Sequence, residues 1–284
     1  MDNKRNLADT IITLFVLVIV TLITLFPLVY TAASSFKTNA EILAYPERIF
    51  SLNPTWDNYK TVFRSDSINI MRMTWNSLYY TIFSVIVVLI TSSVSGYVFS
   101  RGEFKFKKTI FTIFSSLMFL SFGSVTLYPK FDILTALHLN KSLFGLIVLK
   151  CFGIPIVNMY LVRGYVNTLP KELDESAKLD GCSFTGTFFR IIAPLLKPIL
   201  ATVGILTFQN TWNEYLLPAI FTAGLPEQQP LIVGITSLRT SGEASSSWNL
   251  MLAGTTIAVI PVLFAYAFGN KYFVAGLANG AVKG

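Results

Sequence analysis

The sequence predicts an all-α polytopic membrane protein of six transmembrane helices, with a long cytoplasmic loop between the fourth and fifth. Three observations carry that prediction. Only 13% of the 284 residues are charged and 53% are hydrophobic, with a mean hydropathy of +0.59. A soluble chain carries roughly 25% charge, so this composition argues against a cytosolic enzyme, a nucleic-acid binder and a disordered chain. Six stretches are apolar over about the 20 residues that a helix needs to cross a bilayer core. Lys and Arg gather in short segments between those stretches, the pattern that sets orientation in a membrane.

The first span runs from Ile11 to Ala33 without a formal charge. It follows Lys4 and Arg5 as a secretory signal would, and small residues occur over Thr31–Ser35. Its apolar run is nevertheless longer than the roughly 7–15 residues of a signal core, so a retained span is expected. The second, Trp75 to Ser100, is also uncharged, and the third is Thr109 to Tyr128. The fourth, Leu143 to Val162, is interrupted by Lys150, and the fifth, Ile199 to Phe221, by Glu214. The sixth is Leu250 to Phe268. Helix is the expected state of each, because lipid offers no partner to a backbone amide. Pro27, Pro155, Pro218 and Pro261 lie in spans or at their ends and can kink them. Ser92 and Gly96, four apart, allow close approach of a neighbouring helix. The whole chain is thus expected to be one transmembrane domain, residues 1–284.

With the N-terminus inside, most Lys and Arg fall on the cytoplasmic side. They are densest in the short turn that holds Arg101, Lys105, Lys107 and Lys108. A multi-pass protein of the cell (inner) membrane with both termini cytoplasmic is the resulting expectation. Cys151 and Cys182 then fall in different environments, without disulfide or metal-ligand spacing. His138 is the single histidine and reads as a polar loop residue, so no metal or histidine-based catalytic site is expected.

The cytoplasmic loop 163–197 has its own helical pattern. Pro170 suits a first turn, and Glu172, Asp174 and Glu175 suit the positive end of a helix dipole. Leu169, Leu173 and Ala177 trace one face. Gly181 can take positive φ and stop that helix. Ser183 can cap a second helix, running through Phe188, Phe189 and Ile192 to Pro194. Two short helices should therefore meet at a glycine turn.

That pattern resembles the signature loop of binding-protein-dependent ABC transporter permeases. The family form is Glu-Ala-Ala, three residues, Gly, then Ile and Pro further on. Here Glu175-Ser176-Ala177 is followed by Asp180-Gly181, Ile191 and Pro194. Ser176 and Cys182 stand where Ala is usual, and Ala193 where Leu is usual, which changes fine packing rather than the motif. Asn76-Ser-Leu, Leu161-Val-Arg-Gly, Trp212-Asn-Glu and the ending from Tyr272 to Gly284 resemble the maltose-type sugar permeases, so the likeness covers nearly the whole chain.

The resemblance implies a permease subunit of an ATP-driven, binding-protein-dependent importer of sugars, with oligosaccharides as the expected class. It implies a second, similar permease subunit, two ATPase subunits and an extracytoplasmic solute-binding protein as partners, with lipid around the bundle. Glu175, Ser176, Ala177, Asp180, Gly181, Cys182 and Pro194 would belong to the loop that couples to the ATPase. The chain carries no G-x-x-x-x-G-K-[ST] string, so ATP and Mg would sit on the partner ATPase, with no cofactor on this chain. The Gly-rich tail from Gly276 would reach towards the ATPase pair or end frayed.

Ionisable groups within spans are costly and usually face a cavity or a partner. Lys150, Asn210, Trp212, Asn213 and Glu214 are therefore candidates for the substrate path. Amides, a carboxylate and an indole ring suit carbohydrate hydroxyls and C–H faces. They also suit helix packing, while Lys150 could snorkel to an interface and Glu214 could form a structural pair. A path lined by Lys150 would admit an acidic sugar. A permease for a non-sugar solute and an ATP-independent secondary transporter are the competing functions. A membrane-embedded enzyme would need a fuller acid–base set than Lys150 and Glu214 provide.

Overall fold

The structure, a computed structural model, describes residues 7–64, 69–120, 123–238 and 247–281. Among the described residues it is helical, without a strand. The helices are α1 (Leu7–Ser34), α2 (Asn39–Ala44), α3 (Asp57–Arg64), α4 (Ile70–Arg101), α5 (Lys107–Leu117), α6 (Leu127–Ala136), α7 (Leu143–Phe152) and α8 (Ile156–Thr168). They continue as α9 (Glu172–Leu179), α10 (Phe184–Thr187), a π-helix (Phe188–Ile192), α11 (Ala193–Leu195), α12 (Lys197–Trp212), α13 (Leu216–Phe221), α14 (Leu231–Ser237) and α15 (Trp248–Ala281). Among the described residues, three helices are long and apolar enough to cross a membrane, within α1, α4 and α15. Two bent pairs, α7 with α8 and the 184–195 helix with α12, raise the number to five if each is one span.

The stretches expected as the first and second spans lie inside α1 and α4, and the sixth lies inside α15, which continues to Ala281. The other three are interrupted, each for a local reason. In the third, α5 stops at Leu117 and a 3₁₀ turn follows from Gly123 to Thr126. Ser115 and Ser116 turn their hydroxyls back onto the carbonyls of Phe111 and Thr112, and Gly123 adopts φ +48°, which α-helix excludes. In the fourth, α7 and α8 meet at 46°. Pro155 has no N–H to donate and disfavours helical backbone at Ile154. In the fifth, α12 ends at Trp212 and α13 starts at Leu216. Pro218 would clash with the carbonyl of Glu214, four residues earlier.

The chain divides into two compact units. One takes Met1–Met71 with Gly234–Val259, the other Arg72–Val233 with Ile260–Gly284. In the first, residues 9–29 of α1 are exposed on every side. Thr13, Thr24 and Thr31 bond their hydroxyls to carbonyls of their own helix, so the outer surface stays apolar. Beyond α1 the unit combines an aromatic cluster of Phe36, Trp56 and Tyr59 with polar contacts. Buried Asn58 donates to the carbonyls of Ser35 and Lys37 and accepts from Asn249. Lys37 is fully buried and donates to the carbonyl of Arg48.

In the second unit, α4, α8, α12 and the π-helix share one apolar core containing Val88, Tyr97, Val162, Val166, Phe188, Ile192 and Val203. A second core joins α4, α6, α7 and α13 through Tyr80, Leu134, Leu146, Ile147 and Phe221. The close approach of α4 to α8 requires Gly96. A Cβ placed there would lie 2.7 Å from Val162 Cγ1 and 3.0 Å from the Arg163 amide nitrogen.

Candidate functional site

Two sites in the second unit carry the polar chemistry. The first is the elbow between α9 and α10. Acidic residues fill the first turn of α9, namely Glu172, Asp174 and Glu175, and Lys178 lies in its last turn. Both placements match the helix dipole. The helix begins at Glu172, so Pro170 lies just outside it rather than in the first turn. The Asp180 amide donates to the carbonyl of Ser176 and the Cys182 amide to the carbonyl of Ala177. Gly181 stands between them with φ +80°, the left-handed conformation that glycine reaches without strain. Ser183 then caps α10, its Oγ accepting from the Gly186 amide at 3.1 Å.

The second arm differs from a plain helix. Residues 188–192 form a π-helix, in which the Ala193 amide donates to the carbonyl of Phe188. Pro194 follows and cannot supply the amide that an α-helix would direct at Arg190. The chain then turns by 76° into α12. Among the expected coupling residues, Glu175, Ser176, Asp180, Gly181 and Pro194 are exposed, Cys182 is half-buried and Ala177 is buried. Leu179, Phe184 and Phe189 are exposed as well, the first at 90%.

The elbow is gripped by the end of α4. Arg101 Nε lies 2.9 Å from Asp174 Oδ2. Its Nη2 donates to the carbonyls of Val166 at 3.2 Å and Leu169 at 2.6 Å. Tyr97 donates its hydroxyl to Asp174 Oδ1 at 3.1 Å. Its ring stacks on Phe184 at 4.6 Å and leans on Phe188 at 5.2 Å. A cavity of about 540 Å³ opens here, lined by Arg101, Lys107, Asp174, Glu175, Lys178 and Cys182 among others. Burial, then the charge of Arg163, holds the Lys107 ammonium below its ordinary 10.5.

The second site joins the two ionisable residues of the interrupted spans. Lys150 Nζ lies 3.3 Å from Glu214 Oε2 and donates to Thr211 Oγ1 at 3.2 Å. The Tyr80 hydroxyl donates to Glu214 Oε2 at 2.7 Å. Lys150 also lies over the Tyr80 ring, 4.7 Å from its centroid. Both breaks contribute: Lys150 precedes the Gly153–Pro155 break and Glu214 occupies the one after α12. A cavity of about 290 Å³ is lined by Tyr80, Lys130, Lys150, Gly153, Pro155 and Glu214 among others.

The other candidates do not line it. Trp212 is buried and stacks on Phe208 at 5.6 Å. Asn213 is exposed and donates to the carbonyl of Gln209, and Asn210 is exposed as well. Tyr80, Thr211 and Lys130 escaped the sequence reading. A tyrosine near one end of an uncharged span was the available signal for Tyr80. His138 is exposed in the turn after α6, with φ +56°. Among the described residues no group of three His, Cys, Asp or Glu could hold a metal.

Helices of this length and apolarity, broken where polar groups meet, define an all-α integral membrane protein. More specifically, residues 105–279 match the family described as binding-protein-dependent transport system inner membrane component, and the chain belongs to that family. It is 33% identical over 276 residues to the arabinooligosaccharides transport system permease protein AraQ of Bacillus subtilis (strain 168), covering 96% of this chain and 95% of the relative. It is 32% identical over 270 residues to the galactooligosaccharides transport system permease protein GanQ of the same organism, covering 92% and 91%. Among solved structures it resembles a chain of a bacterial ABC transporter involved in the import of the acidic polysaccharide alginate. That match has a TM-score of 0.79 and 22% identity, and covers 96% of this chain and 99% of that one. The last likeness is one of fold. The family is a membrane transport component rather than a catalytic enzyme.

Proposed function

We propose that the chain is a permease subunit of an ATP-driven importer of oligosaccharides. It works beside a second, similar permease, two ATPase subunits that carry ATP and Mg, and an extracytoplasmic solute-binding protein. The observation that carries the reading is the elbow at Gly181, a capped helical turn that exposes Leu179, Phe184 and Phe189. Glu175 to Cys182 dock on the ATPase, with Pro194 setting the exit from the second arm. The relatives named for arabino- and galactooligosaccharide transport support the solute class.

In this reading the chain crosses the membrane six times, at about residues 11–33, 75–100, 109–128, 143–162, 199–221 and 250–268. Both termini and loop 163–197 face the cytoplasm. The Lys150–Glu214 cavity borders the solute path. Lys130 lines the same cavity beside the Lys150–Glu214 pair, so its wall suits an acidic as well as a neutral oligosaccharide.

Gly181→Asp tests the coupling assignment. Membrane insertion should persist while ATP-driven uptake of arabinotriose is lost. Wild-type uptake by that variant removes the elbow from the coupling mechanism. Thiol labelling of Cys182 from the outside of intact cells would overturn the topology.

A further inference from the structure

We infer that α4 is the transmission rod of this subunit, with Arg101 and Tyr97 as positioning residues that fasten it to both arms of the elbow. The inference rests on the permease reading above and goes beyond it, since α4 is remote in sequence from the coupling loop. Three features converge. Arg101 and Tyr97 hold the first arm through Asp174, at 2.9 and 3.1 Å. Tyr97 holds the second arm through Phe184 and Phe188, at 4.6 and 5.2 Å. About 20 residues earlier on the same helix, Tyr80 donates to Glu214 in the membrane-depth cavity, at 2.7 Å.

The covalent routes out of the elbow are compliant by comparison. Towards α12 the chain passes a π-helix and a 76° turn, and towards α7 it passes the 46° break at Pro155. α4 runs from Ile70 to Arg101 without interruption. At 1.5 Å per residue, Tyr80 and Arg101 are about 30 Å apart along one stiff axis. A displacement of α9 and α10 is therefore carried to the Lys150–Glu214 cavity through α4 before it is carried along the backbone.

The grip has the chemistry of a clamp. The Arg101 side chain is 9% exposed and that of Asp174 is 22% exposed. Arg101 Nε and Asp174 Oδ2 are buried and lack a well-aligned hydrogen-bond partner, so attraction between opposite charges holds them together. Removing one charge leaves the other buried and unmet. The carbonyls of Val166 and Leu169 tie the same guanidinium to the stretch of chain that enters α9.

The test uses the assembled complex in lipid nanodiscs. ATP hydrolysis is measured with and without the solute-binding protein, purified from the same cells with its native cargo in place. The binding protein acts at one face of the subunit and hydrolysis is read at the other, so stimulation of hydrolysis needs transmission between the two. Arg101→Leu and Asp174→Asn should keep unstimulated hydrolysis and lose the stimulation by about tenfold, within the usual range of coupling factors. Arg101→Lys, which keeps the charge, should retain part of it. Asp174→Asn preserves side-chain size and the Tyr97 contact, so it carries the test if Arg101→Leu does not assemble. Full stimulation in both variants overturns the rod, and so does loss of assembly in both, which would make the clamp purely structural. A wild-type complex that hydrolyses no ATP, or ignores its binding protein, instead overturns the permease reading.

Discussion

Lys150 and Glu214, 64 residues apart in the chain, meet at 3.3 Å in the structure. Neither residue is isolated: Thr211 and Tyr80 complete the set. A charge in an apolar bundle is tolerated when its opposite is alongside. The pair therefore explains how two interrupted spans each carry an ionisable group.

Removing one member should be worse than removing both. Breaking a fully buried pair costs roughly 3–5 kcal/mol, whereas an apolar replacement of both partners is often neutral. Each side chain here keeps 23% exposure, so Lys150→Met or Glu214→Leu alone should cost about 2 kcal/mol, a discount for solvent screening. The double variant should recover most of that. Thermal unfolding of the purified protein in detergent measures it, and strictly additive losses would contradict the pairing.

Two glycines at helix contacts should respond oppositely to alanine. At Gly96 the added carbon meets Val162 at 2.7 Å, and overpacking of this kind costs about 1–3 kcal/mol. At Gly204 the nearest atoms lie 3.9 Å away. Gly204→Ala should therefore be neutral or stabilising by about 0.5–1 kcal/mol, since alanine loses less backbone freedom on folding. Melting temperatures of the two variants, compared in one detergent, decide the point.

Gly181 should discriminate by backbone rather than by space. Its φ is +80°, and a Cβ added there would meet nothing within 4 Å. Gly181→Asn should be well tolerated, and Gly181→Val should strain the turn by about 1–2 kcal/mol. Protease sensitivity of the elbow, read on the intact protein, should rise only for the valine variant.

The segment around α2 should loosen in acid. The Glu41 carboxyl accepts from Ser51 Oγ at 2.6 Å and from the Leu52 amide at 3.2 Å. The Ser51 bond foremost, with the Leu52 bond and the charges of Lys37 and Arg48, holds its pKa below the ordinary 4.5. A depressed carboxyl stabilises the folded state above its unfolded pKa. That contribution is present at neutral pH and fades as pH falls below about 4.5, through the folded value. Trp56 fluorescence should report the change, and Glu41→Gln should remove its pH dependence.

Much of the elbow was legible in sequence because its signals are local. An acidic first turn, a glycine stop and a serine cap each act within four residues, and α9, Gly181 and Ser183 stand where those rules put them. The π-helix was not legible, because it arises from an extra residue fitted ahead of Pro194 rather than from any residue's preference. The stretches at 109–128, 143–162 and 199–221 read as single spans because hydropathy averages over about 20 residues. Pro155 and Pro218 marked two of their breaks, whereas Pro27 and Pro261 sit inside continuous helices and the break before Gly123 carried no proline. The ending from 282 and the segment 239–246 lie outside the described residues, and the side chains of the tail from residue 271 do as well.

The sequence by itself determined the solvent of this protein, the helical state and the turn at Gly181, because each follows from composition or from neighbours along the chain. Only the tertiary structure decided that Glu214 answers Lys150 and that Arg101 answers Asp174. It also decided that Tyr80 and Tyr97 put both sites on one helix. Such pairings join residues dozens of positions apart, and no periodicity encodes them. They follow from how the helices pack, where a buried charge must find its opposite.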